Sequence, residues 1–155
     1  EANGKKFYQY TAIDEYSRFR YLEAFGSTAA ILEHLVKAFK FPIECVQTDN
    51  GQEFTKRLGS SQKPTLTMFE KRLKELGIQH KLIRPYTPRH NGKVERSHRK
   101  DNEYFYATHK FYSFDDFAKQ LKVHNRNYNK FPMRPLNWKA PIDYINSFIN
   151  FGELF

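Results

Sequence analysis

The sequence predicts an α/β sandwich built on a mixed sheet, and three observations predict it. Two aromatic-rich, β-prone runs come first, joined by a polar turn. Short apolar strands then alternate with segments of helical period, the order from which layered α/β folds are built. Finally, 155 residues, 39% hydrophobic and 17% aromatic, suffice for a single domain with one core.

Taken in order, "KFYQYTAIDEYSRFRYLEAF" reads as two strands with a turn near Glu15 to Ser17, capped by Asp14 and closed by an Asp14–Arg18 pair. "TAAILEHLVKAF" sets Ala29, Leu32, Leu35, Val36 and Phe39 at helical spacing behind a Ser27 or Thr28 cap. "IECVQT" is a strand ending at Asp49, and its Cys45 reads as a buried thiol. The polar stretch "TKRLGSSQKP" is a surface loop. "TLTMFEKRLKELG" carries Leu66, Phe69, Leu73 and Leu76 on one face and stops at Gly77. "IQHKLI" is a further strand. A helix is expected from about Arg89 through "NGKVERSHRKDNEYFYATH". Ser113 and Asp116 suit the start of another, with Phe114, Phe117, Leu121 and Tyr128 as its stripe. Pro141 opens a last helix in "PIDYINSF".

Charge gives the first functional signal. Twenty-six Lys and Arg against 17 Asp and Glu leave a formal charge of +9, which suits a polyanionic partner. The excess concentrates in "RPYTPRHNGKVERSHRK", residues 84–100, around a single acid, Glu95. No apolar run approaches the roughly 18 residues that span a bilayer. The lone Cys45 forms no internal disulfide, which fits a reducing cytosol. His80, His90, His98 and His109 lack the paired spacing of a zinc site. Ser97 and His98 are helix neighbours that point in different directions, which disfavours a nucleophile pair. Phe148, Phe151 and Phe155 are read as packing, the last ones at an oligomer contact.

Two carboxylates stand out. In "VQTDNGQEF", Asp49 falls at the carboxyl end of a strand, where ligands gather in open sheets. The bland reading is ordinary Asp and Asn-Gly turn chemistry. Glu95 lies in the first turns of a helix entered through a Pro85, Pro88 and Gly92 loop, where the helix dipole alone stabilises an acid. Asn91, Arg99 and Asn102 share its helical stripe. Phosphodiester chemistry needs such hard oxygen ligands for Mg²⁺ or Mn²⁺, beside cations that hold phosphate.

"QTDNGQEF" followed by "LGIQHKLIRPYTPRHNGKVERSHR" resembles the catalytic core of retroviral integrases and of bacterial insertion-sequence transposases of the IS3 and IS481 type. "YQYTAIDEYSRFRYLEAF" resembles the second and third strands of that core, and "NYNKFPMRPLNWKAPIDYI" the stretch that closes the transposase domain. The resemblance implies a ribonuclease-H-like α/β fold, a mixed sheet flanked by helices, over residues 1–155, with 111–155 as a C-terminal helical extension. It implies a DDE triad that binds two divalent ions, Mg²⁺ or Mn²⁺, cuts DNA and joins 3′ hydroxyls to target DNA. Asp49 and Glu95 match the second and third acids. Asn91, Lys93, Arg96, Arg99 and Lys100 are the DNA-binding candidates, and Tyr86 is a candidate for stacking or packing. The implied partners are double-stranded DNA, at element ends and target, and further copies of the chain, in a bacterial cytoplasm.

Two departures follow. Asp49 and Glu95 stand 46 positions apart, longer than these families commonly show, and the polar loop near Thr55 to Pro64 absorbs the excess. The strand carrying the first acid would precede Glu1, so this chain is expected to be a fragment lacking it. Asp14 is the less favoured substitute. The rival readings are a non-catalytic DNA-binding or assembly module of the same fold, and a nuclease without strand transfer.

Overall fold

Period-two alternation turns the first aromatic runs into β1 (Tyr8–Ile13) and β2 (Arg20–Phe25), paired antiparallel with Tyr8 opposite Phe25 and Ile13 opposite Arg20. The computed structural model describes residues 8–25, 31–56, 65–84 and 91–152. It resolves into two compact units, Glu1–Gly26 with Arg96–Phe155, and Ser27–Glu95.

In the first unit the hairpin turn is held by Asp14, whose Oδ2 accepts from the Ser17 N–H and from Ser17 Oγ, each at 2.7 Å. Arg18 adopts a left-handed φ of 61° and donates to the Glu15 carbonyl at 2.8 Å. The expected Asp14–Arg18 pair is thereby replaced, because the short Ser17 side chain reaches the carboxylate first. α3 (Gly92–Asp101) belongs to this unit from Arg96 onward, its residues up to Glu95 being counted in the second. It runs into a π-helical stretch, Asn102–Tyr106, and is followed by α4 (Phe114–Asn129), a 3₁₀ turn at Arg134–Leu136 and α5 (Pro141–Gly152). Leu22 and Ala24 of β2 pack with Phe105, Phe117 and Leu121 to make this unit's core, with Tyr106 and Phe111 beside it. Each such side chain contributes roughly 1.5–3 kcal/mol by leaving water. Phe114, placed in the buried stripe by its spacing, is exposed instead, since it sits in the first turn before the helix reaches β2.

In the second unit β3 (Cys45–Thr48) and β4 (Gln79–Leu82) pair in parallel, Cys45 opposite Gln79 and Thr48 opposite Leu82. α1 (Ile31–Ala38) buries Ile31, Leu32 and Leu35, and Phe39 just beyond it is also buried. Val36 falls off that face and is exposed. α2 (Met68–Glu75) is closed by a full capping box: Thr67 Oγ accepts from the Glu70 N–H at 3.1 Å, and Glu70 Oε2 accepts from the Thr67 N–H at 2.9 Å. Gly77, at φ 68°, ends it. Leu66 and Leu76 lie before the cap and at the C-cap, so both are exposed while Phe69 and Leu73 are buried. Cys45 is half-buried rather than fully enclosed, because it opens β3 at the ladder's end.

The first unit's strand pair is antiparallel and the second unit's is parallel. Among the described residues, hydrogen bonding stops at each two-stranded pair. The Ser27 or Thr28 cap, most of the polar loop, Tyr86, His90 and Phe155 lie outside the described residues.

Candidate active site

The TDNG turn is built from the strand outward. Thr48, buried at the end of β3, holds His80 of β4 through Oγ1 to Nε2 at 2.8 Å. Asn50 Nδ2 donates to the Ile83 carbonyl at 3.0 Å, tying the ends of the two strands together. Asp49 between them is exposed, and its Oδ1 accepts from the Gly51 N–H at 3.1 Å. The turn chemistry is therefore real, and it also fixes the carboxylate at the strand's carboxyl end with Oδ2 turned to no described partner.

Glu95 lies in the first turn of α3, exposed, its N–H donating to the Asn91 carbonyl at 3.0 Å. Asp49 and Glu95 belong to the same compact unit. Further along α3, Arg96, Arg99 and Lys100 are exposed, as is Asn102. Asn91 and Lys93 are half-buried. Asp14, the less favoured third acid, has its carboxylate engaged by Ser17. Among the described residues no three His, Cys, Asp or Glu side chains gather as a metal site. Ser97 and His98 diverge: Ser97 Oγ accepts from Arg20, and His98 Nε2 meets Thr11 Oγ1 at 3.1 Å.

Sequence reasoning missed a polar network behind α3. Arg20, on the inward face of β2, is 1% exposed and donates through Nη1 to Asp101 Oδ1 at 2.7 Å and to Ser97 Oγ at 2.9 Å. Its Nε donates to Asn125 Oδ1, and its guanidinium lies 4.0 Å from the Tyr128 ring centre. Asp101 also receives Gln9 Nε2 and pairs with His124 Nε2 at 2.7 Å. Tyr106 donates to Gln9 Oε1. Burial pushes the Asp101 carboxyl up, but the His124 hydrogen bond and the charge and hydrogen bond of Arg20 outweigh it, leaving Asp101 below the usual carboxylate range. Burial, reinforced by the Asp101 charge, pushes the Tyr106 phenol up to about 12. The network holds Ser97 and Asp101 of α3 to β1, β2 and α4 within the first unit.

Residues 1–88 match one integrase core domain family, and residues 76–141 match a second family of the same description. The chain belongs to the integrase core domain family. It is 29% identical, over 155 residues and 92% of its length, to the "Putative integrase ORF3" of Spiroplasma virus SpV1-C74, and spans 43% of that relative. Its fold superposes on the catalytic core domain of BIV integrase with a TM-score of 0.65 at 19% identity, over 96% of this chain and 91% of that one. It also superposes on a chain of a simian T-cell lymphotropic virus intasome solved with PP2A regulatory subunit B56 gamma. That match has a TM-score of 0.59 at 20% identity, over 83% of this chain and 44% of that one. The fold is the ribonuclease-H-like α/β fold. Among the described residues, no helix is long and apolar enough to cross a membrane.

Proposed function

We propose that the chain is the catalytic core of a DDE transposase or integrase, cutting DNA and joining its 3′ hydroxyls to target DNA with the help of divalent metal. The observation that carries this reading is the pair Asp49 and Glu95: two exposed carboxylates in one compact unit, one just past β3, the other in the first turn of α3. Both are hard oxygen donors of the kind Mg²⁺ and Mn²⁺ take, and Asp49 uses Oδ1 within its turn while Oδ2 meets no partner among the described residues. Asp49 and Glu95 would hold the ions, which when bound supply Lewis-acid stabilisation of charge on attacking and leaving oxygens. Asn91, Lys93, Arg96, Arg99 and Lys100 bind phosphate and orient the strand, and the charge of the four cations opposes the repulsion between DNA and the two carboxylates. Asp14 stays with its turn, and the third acid comes from a strand N-terminal to β1 in a longer protein. Duplex DNA and further copies of the chain are the partners, in the cytoplasm.

The test is a chain extended N-terminally through the preceding strand. It should nick duplex DNA only with Mg²⁺ or Mn²⁺, and Asp49→Asn or Glu95→Gln should bring nicking to background. Joining to a second duplex marks a transposase or integrase, and nicking without joining a nuclease. Duplex binding with no nicking in any metal would leave a DNA-binding module and sink the reading.

A further inference from the structure

Between Asp116 and Asp143 the chain carries no acid and six cations: Lys119, Lys122, Arg126, Lys130, Arg134 and Lys139. All six are exposed. At about 100° per residue, Lys119, Lys122, Arg126 and Lys130 fall within an arc of about 80°. That arc lies opposite the stripe Phe117, Leu121 and Tyr128, which α4 turns inward. Lys119 lies near the Asp116 carboxylate, so the open part of the ridge is Lys122, Arg126 and Lys130.

The ridge runs into a loop that displays the chain's single tryptophan. Leu136, 2% exposed, anchors this loop, and its backbone closes on itself: Trp138 N–H donates to the Met133 carbonyl at 3.0 Å and Met133 N–H to the Lys139 carbonyl at 3.1 Å. Asn137 and Trp138 are both left-handed, at φ 53° and 62°, a conformation that bulky L residues rarely adopt. The result is a backbone-held loop whose indole is 70% exposed, between Arg134 and Lys139 in the sequence. Protein-docking patches deplete lysine. An exposed planar aromatic on a stretch of chain rich in lysine and arginine is instead the kind of surface that single strands use, with bases stacked on the ring and phosphates on the cations.

We infer that α4 and the Trp138 loop form a track for single-stranded DNA, separate from the α3 cations: Trp138 stacks an unpaired base, and Lys130, Arg126 and Lys122 follow the backbone. The choice of DNA among polyanions rests on the proposed function; the position of the track does not.

Because Trp138 is the only tryptophan, emission from the 155-residue chain reports this site alone. A short oligo(dT) strand should quench that emission, while the same length of duplex, at equal bound fraction by anisotropy, should leave it nearly unchanged. Trp138→Ala should weaken single-strand affinity about ten-fold, with Trp138→Phe retaining most of it. Lys122→Gln with Arg126→Gln should lower the salt slope by about 1.4. The inference is overturned if the strand binds without quenching, if Trp138→Ala has no effect, if duplex quenches equally, if no strand binds, or if anionic lipid vesicles compete for the indole better than the strand does. Strand binding through Trp138 in a chain whose extended form never nicks DNA would overturn the proposed function and leave this track standing.

Discussion

Arg20 occupies a β2 position where the two-residue period would put an apolar side chain, since Leu22 and Ala24 share its face. A buried guanidinium there is tolerable only because Asp101, Ser97, Asn125 and the Tyr128 ring surround it. Removing one partner strands the other, so Asp101→Asn or Arg20→Met should cost about 3–5 kcal/mol, read from urea unfolding. The pH dependence follows from the same contacts. Asp101 titrates below its usual value when folded, facing His124, Arg20 and Gln9, so its contribution is complete above the unfolded carboxylate pKa of about 3.9. It is lost as pH falls through the lower folded value. Tyr106 runs the other way: with its phenol raised to about 12, its contribution is present below about pH 10 and lost as pH climbs toward 12. Melting temperature against pH should therefore fall at both ends, and Asp101→Asn should flatten the acid limb. At this scale Asp49 and Glu95 were legible, because strand-end and helix-start acids carry local signals. Arg20 was not: its partners lie 77 to 109 residues away.

Helix boundaries were legible where a cap sits in the chain's own local order. Ser113 caps α4 as its spacing suggests, its Oγ accepting from the Asp116 N–H at 3.1 Å. Gly77 ends α2 through its left-handed φ. The π-helical stretch after Asp101 had no such signal, since it arises where Phe105 and Tyr106 turn toward β2 and Gln9. The two N-caps should differ in strength. Ser113 is exposed, and Ser113→Ala should cost about 1 kcal/mol. Thr67 is buried, and its partner Glu70, 6% exposed, also receives Thr55 Oγ1 at 3.1 Å. Thr67→Ala removes the cap and the bond to the Phe54 carbonyl while leaving Glu70 buried, so about 2 kcal/mol is expected. Equal losses in chemical unfolding would mean that the buried Glu70 gains nothing from its setting.

For the whole molecule, element order and fold class followed from pattern, but the division into units did not. The first unit joins segments far apart in the sequence, through contacts such as Arg20 with Asn129 that no window of sequence contains. Net charge was legible from composition, yet +9 alone does not say where a duplex binds. If the duplex lies along α3, Lys93, Arg96, Arg99 and Lys100 each displace counterions, and log K should fall with log salt at a slope near −3.6. Between 50 and 200 mM salt that is roughly a 150-fold loss of affinity. Arg99→Ala should then reduce the slope by about 0.9. Lys37→Gln, on the exposed side of α1, lowers the net charge by the same unit and should leave the slope unchanged. Fluorescence anisotropy of a labelled duplex across salt separates the two cases. Equal effects from both substitutions would mean that duplex affinity reflects diffuse charge over the whole surface, and the α3 cations would lose their assigned role.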